Sequence, residues 1–316
     1  MSHRLSLAAI ERAMQVIDPV FLRTPQYRAE ALEPRLGCRL VVKVETLNPI
    51  RSFKGRGASL YLAGVKPGAR LVCASAGNFG QAMAYACRAR GAGLTVYASV
   101  GANPLKLERM RALGAEVRLS GEDFDAAKAE ARQFAAEAGL ALVEDGREPA
   151  TGEGAGTIGL ELAAWPEPLD SVVAPLGNGA LLTGVGRWLK AHAPATEVVG
   201  AAAAGAPAMV ESWRSGTVVA HGAISTVADG IGVRVPVPEA LADMAGTVDD
   251  ALLVSDEAML AAIRLLHEHL GLVVEPSGAA GVAAILEHPA RFAGRLVGTV
   301  ICGGNLTRAQ MREWLA

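Results

Sequence analysis

The chain has 316 residues, 51% apolar and 20% charged, which supplies a sizeable core and excludes a disordered chain. Its length suggests roughly two domains, at about 150 residues each. Thirty Lys and Arg against 32 Asp and Glu give a net charge of −2, so no basic field draws nucleic acid or an anionic membrane.

Along the chain, residues 1–5 run on to Glu11 and Arg12 without the apolar core of a secretory signal. Short β-branched apolar runs follow at 40–44, 70–73, 94–97, 171–174, 198–199 and 296–301. Between them, Ala-rich segments with helical spacing predict helices over 79–90, 105–113, 124–138 and 256–270. Strands alternating with helices imply βαβ units and a largely parallel sheet. Asn103-Pro104 and Ser255-Asp256-Glu257 read as ordinary helix starts. The longest apolar stretch, 198–210, contains Gly200, Gly205 and Pro207 and is too short for a bilayer, which needs about 20 residues. The 36 glycines cluster beside apolar runs, as in loops where backbone approaches a ligand.

Candidate chemistry is sparse. His267 and His269 are two apart and make a poor metal pair on a helix. Neither HExxH, GxSxG nor a Walker A sequence occurs. Cys38, Cys73, Cys87 and Cys302 are scattered, which fits a reducing compartment better than a disulfide framework or a zinc site. Ser52 is a plausible N-cap, which puts Lys54 in the first helical turn. There the helix dipole favours the neutral, nucleophilic amine. By itself Lys54 reads more readily as a solvated surface lysine than as a nucleophile. Ser75-Ala76-Gly77-Asn78-Phe79 lies between a strand and a helix, and reads equally as a tight turn or as an anion site. Gly177-Asn178-Gly179-Ala180-Leu181 also follows a strand and can cradle a phosphate. A dinucleotide pattern through Gly177, Gly179 and Gly184 is weak, because no acidic residue ends a strand about 20 residues later. Cys302 ends the last strand, as a buried filler or a weak hydrogen-bond partner.

In this order, seven segments resemble the fold-type II pyridoxal-phosphate enzymes, in their serine/threonine dehydratase branch. They are 52–58, 75–78, 154–158, 177–181, 226–230, 275–280 and 302–305. The resemblance implies an α/β fold of two domains, each a mostly parallel sheet flanked by helices. The large domain would comprise 1–60 and 148–316, and the small one 61–147. Pyridoxal 5′-phosphate would sit between them, with Lys54 as the Schiff-base lysine and Phe53 beside the ring. Asn78 would bond the ring's phenolic oxygen, and Cys302 would face the pyridine nitrogen. The N–H groups from Gly177 through Asn178, Gly179 and Ala180 to Leu181 would hold the phosphate. Ser75, Ala76, Gly77, Asn78 and Phe79 would line the substrate site.

The resemblance further implies elimination of water from a β-hydroxy amino acid, threonine, serine or a bulkier analogue, giving a 2-oxo acid and ammonia. Departures from the pattern narrow this. Ala76 stands where racemases of the family carry a serine, which disfavours racemization. Ala202 and Ala208 fall where those enzymes carry metal-binding carboxylates, so no divalent metal is expected. The Ser-Ala-Gly-Asn-Phe loop ranks a β-replacement synthase of the cysteine synthase kind second. The chain ends soon after Cys302, so no appended regulatory domain and no feedback by isoleucine is expected. The expected partner is a small amino acid, with no nucleic acid and no membrane. A cytoplasmic homodimer follows by family analogy.

Overall fold

The computed structural model describes residues 3–315, so Met1, Ser2 and Ala316 of the expected large domain lie outside the described residues. Ten strands form two sheets. They are β1 (Gln26–Arg28), β2 (Arg39–Val44), β3 (Arg70–Ala74), β4 (Gly93–Ala98), β5 (Glu116–Leu119), β6 (Ala141–Val143), β7 (Ser171–Pro175), β8 (Glu197–Ala203), β9 (Asp250–Val254) and β10 (Leu296–Ile301). The six-stranded sheet has the order β1-β2-β10-β7-β8-β9, and the four-stranded sheet the order β5-β4-β3-β6. Among the described residues, only β1 runs antiparallel to its neighbouring strand. Helices cover both faces of the large sheet, which is why β10 is buried at every position and reads as a mainly apolar run, its Thr299 hydroxyl donating to the Val173 carbonyl at 2.8 Å.

The small sheet draws its strands from 70–143, and the large sheet draws its strands from the sequence on either side. Helix Lys54–Ala63 spans the expected 60/61 boundary. Its Ala58 and Leu62 join Phe21, Ile50, Cys73, Met83, Val96 and Met110 in the core beneath the small sheet. On its other side it packs on helix Pro149–Ala163 at nearly backbone contact. A Cβ on Gly57 would lie 2.8 Å from the Thr151 Cα, and one on Gly154 would lie 2.6 Å from the Gly57 Cα.

The predicted helices appear within a residue of their expected bounds. The strand expected at 198–199 extends to Glu197–Ala203, because Gly200 and the alanines after it pack in the sheet interior. Helix Pro149–Ala163 is one that periodicity does not reveal. It carries Gly152, Gly154, Gly156 and Gly159, each costing about 1 kcal/mol of helix propensity, and close packing offsets that cost. Gly184 belongs to the same packing. A Cβ there would stand 2.1 Å from the Gly152 carbonyl oxygen, so this glycine joins two helices and completes no dinucleotide loop. Among the described residues, no helix is long and apolar enough to cross a membrane.

Candidate active site

The carboxyl ends of parallel strands gather loops at one rim, and ligands of open α/β sheets bind there where the strand order reverses. In the large sheet that point lies between β10 and β7. The loops after β2, β3, β6, β7 and β10 converge there on a cavity of about 420 Å³, within the range of small-molecule sites. Phe53, Lys54, Ser75, Ala76, Gly77, Asn78, Phe79, Gly177, Asn178, Gly179, Ala180, Leu181 and Cys302 all line it. The structure therefore brings these thirteen residues to one cavity.

Lys54 is the first residue of its helix. Phe53, not Ser52, takes the N-cap position, because Ser52 is held in a bridge to Gly303. The Ser52 hydroxyl still accepts from the Lys54 N–H at 3.3 Å. The preceding loop is tied to the end of β10, with Phe53 N–H donating to the Cys302 carbonyl at 3.1 Å and Gly304 N–H to Arg51 at 3.0 Å. Asn48 cross-links it internally through Glu45 and Ser52. The Lys54 ammonium stands 4.6 Å from the Phe53 ring centre and donates to Asp145 Oδ2 at 2.6 Å. Asp145 Oδ1 is buried and, among the described residues, has no hydrogen-bond partner.

Beneath Lys54 lies a charged cluster with no solvent contact at its centre. Arg56 and Glu45 are 0% exposed. The guanidinium donates to both oxygens of Glu45, at 2.9 and 2.8 Å, and to both oxygens of Glu161, at 2.9 and 3.0 Å. Thr157 and Thr24 take further donors at 2.9 and 3.2 Å. Lys43 completes the set, 2.5 Å from Glu161. Burial works against the Arg56 cation, but Glu45 and Glu161 outweigh it and hold its pKa above the ordinary value. For Lys43 burial prevails over Glu161 and lowers the pKa. Burial also opposes the Glu161 anion, yet Arg56 and Lys43 hold its carboxyl below the usual range.

Across the cavity, the Ser75 hydroxyl accepts from the N–H groups of Gly77 and Gly80, at 3.1 and 2.9 Å. Ser75 thus shapes the turn as well as lining the cavity, and two of its N–H groups are already engaged. Asn78 is also held from within, donating to Glu275 and accepting from Asn305 at 2.8 Å. Lys106, 1% exposed, lies beside this turn with its amine 3.9 Å from where a Gly77 Cβ would stand. It pairs with Asp229 at 2.7 Å and Glu275 at 3.6 Å. Burial opposes its charge, and the two carboxylates outweigh that and raise its pKa.

At the end of β7, Gly179 adopts φ +89° and opens helix Ala180–His192, which has no side-chain cap. Its first N–H groups have no intrahelical partner, and they make an anion cradle. Cys302 donates to the Ser277 carbonyl at 3.7 Å, and burial pushes its thiol pKa far up, so the group is a neutral thiol.

Sequence reasoning missed Asp145 and Lys106. Two carboxylates in a row, Glu144 and Asp145, after the apolar triplet 141–143 were a legible sign for Asp145, since loops at strand carboxyl ends carry sites. Lys106 has no such sign; its burial is a tertiary fact.

A family model described as "Pyridoxal-phosphate dependent enzyme" matches residues 17–303. The chain is 32% identical over 314 residues to a "Putative threonine dehydratase" of Sinorhizobium fredii, covering 98% of this chain and 95% of that one. It is 33% identical over 305 residues to an "L-threonine ammonia-lyase" of Thermotoga maritima, covering 96% and 76%. Among solved structures, a threonine deaminase of T.th. superposes with TM-score 0.90 at 34% identity, covering 96% of this chain and 99% of that one. A maize serine racemase superposes with TM-score 0.91 at 27% identity, covering 98% and 97%.

Proposed function

The chain belongs to the pyridoxal-phosphate-dependent enzyme family, and on that premise we propose that it is an ammonia-lyase acting on threonine or serine. It removes water from the β-hydroxy amino acid and yields a 2-oxo acid and ammonia. The observation that carries this reading is a single cavity lined by the Lys54 amine, an uncapped helix start and the Ser75 turn.

The residues present fit the cofactor. An amine, a neutral thiol and a row of unpaired N–H groups surround a space large enough for it, and Gly179 sits in a left-handed conformation that opens the cradle. Pyridoxal phosphate, when bound, supplies an electron sink for charge developing at Cα. Lys54 is the amine that would hold its aldehyde and, when free, the base placed to take the Cα proton. Phe53 would pack beside the ring, and the N–H groups of Gly177, Asn178, Gly179, Ala180 and Leu181 would hold the phosphate. Asn78 is assigned to the ring oxygen and Cys302 to the pyridine nitrogen, where a neutral thiol leaves the ring a weaker sink than a carboxylate would. Ser75, Ala76, Gly77, Asn78 and Phe79 hold the amino acid. Ala76 carries no proton donor on this loop, which supports elimination over inversion at Cα.

In this reading the two sheets mark two domains, 1–60 with 148–316 and 61–147, and the cavity lies between their loops. The enzyme is read as a cytoplasmic homodimer. Four free, buried cysteines support the compartment, and family analogy supports the dimer. The test is a purified sample supplemented with pyridoxal phosphate. Wild type turns yellow, is trapped by borohydride and releases 2-oxo acid and ammonia in equal amounts from L-threonine or L-serine. Lys54→Ala does none of these. A colourless wild type ends the reading.

A further inference from the structure

Charged groups lining the cavity are paired in a way that singles out one of them. Asp229 is held by Lys106, and Glu275 by Lys106, Asn78 and the Asn305 N–H. Asp123 and Asp125 face Arg234, at 3.4 and 2.7 Å, and Lys128 faces Glu144 at 3.0 Å. Each of these pairs survives the reaction proposed above. Asp145 differs. Its one donor among the described residues is Lys54, and its Oδ1 is buried with none. With the Lys54 amine engaged by the cofactor, this largely buried carboxylate would lose its one donor among the described residues. A buried acceptor in that state costs on the order of a hydrogen bond's desolvation, so the bound substrate is the available source of a donor.

Distance identifies which part of the substrate. A base removes a proton from about 3 Å away. Asp145 Oδ2 lies 2.6 Å from the Lys54 nitrogen, close enough to reach a substituent one carbon past Cα. We propose that Asp145 is a specificity-determining residue that accepts a hydrogen bond from the substrate's β-substituent. The enzyme therefore takes amino acids whose β-group donates, favours a cationic β-ammonium over a hydroxyl, and rejects an anionic β-carboxylate. This rests on the lyase reading and deepens it.

The test uses four amino acids of similar size on the holoenzyme: L-2,3-diaminopropionate, L-serine, L-alanine and L-aspartate. Apparent Kd comes from the first change in visible absorbance in stopped flow, before product accumulates. A charge-assisted contact gives wild type about tenfold tighter binding of diaminopropionate than of alanine, with aspartate weakest. Asp145→Asn brings the four within about threefold and weakens alanine little. Asp145→Ser repeats this if the amide variant folds poorly. The proposal falls if wild type does not discriminate, or if both variants weaken all four ligands alike, since Asp145 then acts only through Lys54. A wild type that binds no pyridoxal phosphate refutes the lyase reading itself and this proposal with it. A coloured, serine-cleaving wild type without the selectivity refutes this proposal alone.

Discussion

Replacing Arg56 by methionine tests what fixes the Lys54 helix. The arginine side chain is 0% exposed and its guanidinium makes hydrogen bonds to Glu45, Glu161, Thr24 and Thr157. Two cations, Arg56 and Lys43, balance two carboxylates, Glu45 and Glu161. Methionine fills much of the volume but leaves one ammonium for two carboxylates, and Glu45 keeps only the Thr24 hydroxyl as a side-chain donor. Removing one partner of a buried ion pair costs about 3–5 kcal/mol. That is a large part of the roughly 5–15 kcal/mol that holds a typical protein folded. At about 2.1 cal/mol/K per residue, the loss lowers the melting temperature of a chain this long by about 5–8 °C. Urea denaturation followed by circular dichroism measures it directly. Adding Glu45→Gln to Arg56→Met removes the stranded charge and restores at least about 1 kcal/mol, a coupling typical of residues in contact. A single variant within about 1 kcal/mol of wild type, or a double variant whose losses simply add, refutes the argument.

Three further outcomes follow from the same structure. Gly184→Ala puts a methyl 2.1 Å from the Gly152 carbonyl, so the two helices separate at a cost of about 1–3 kcal/mol, and an unchanged urea midpoint counts against that contact. Burial pushes the thiols of Cys38 and Cys87 up to about 11 and about 12, and those of Cys73 and Cys302 higher still. Iodoacetamide at about pH 8 should therefore label none of the four in the native protein and all four in urea, as read by mass spectrometry. Burial opposes the carboxylates of Glu197 and Asp250, but Arg291 outweighs it and holds both below the usual range. Their contribution is complete above the ordinary carboxylate pKa and is lost as pH falls through the depressed folded values. Arg291→Gln should lower the urea midpoint at about pH 7 and flatten its fall towards about pH 3; parallel curves would contradict the linkage.

The order of elements was legible in the sequence because it depends on local rules. A β-branched run such as β10 is mainly apolar because a parallel strand covered on both faces is buried at every position, and Ser255 caps its helix through its own side chain. The glycine turns at 77 and 179 were legible for the same reason, since the backbone shape they permit belongs to a few neighbouring residues. The rest was decided by contacts between distant segments. Helix Pro149–Ala163 carries four glycines that argue against it locally, and it exists because Gly154 and Gly159 admit neighbouring helices. Ser52 yielded the cap position because Gly303, from the far end of the chain, claims it. Arg56, Lys43 and Lys106 are indistinguishable in sequence from solvated surface cations. Only the folded chain surrounds them with carboxylates from other elements, and long-range pairing leaves no periodicity to read.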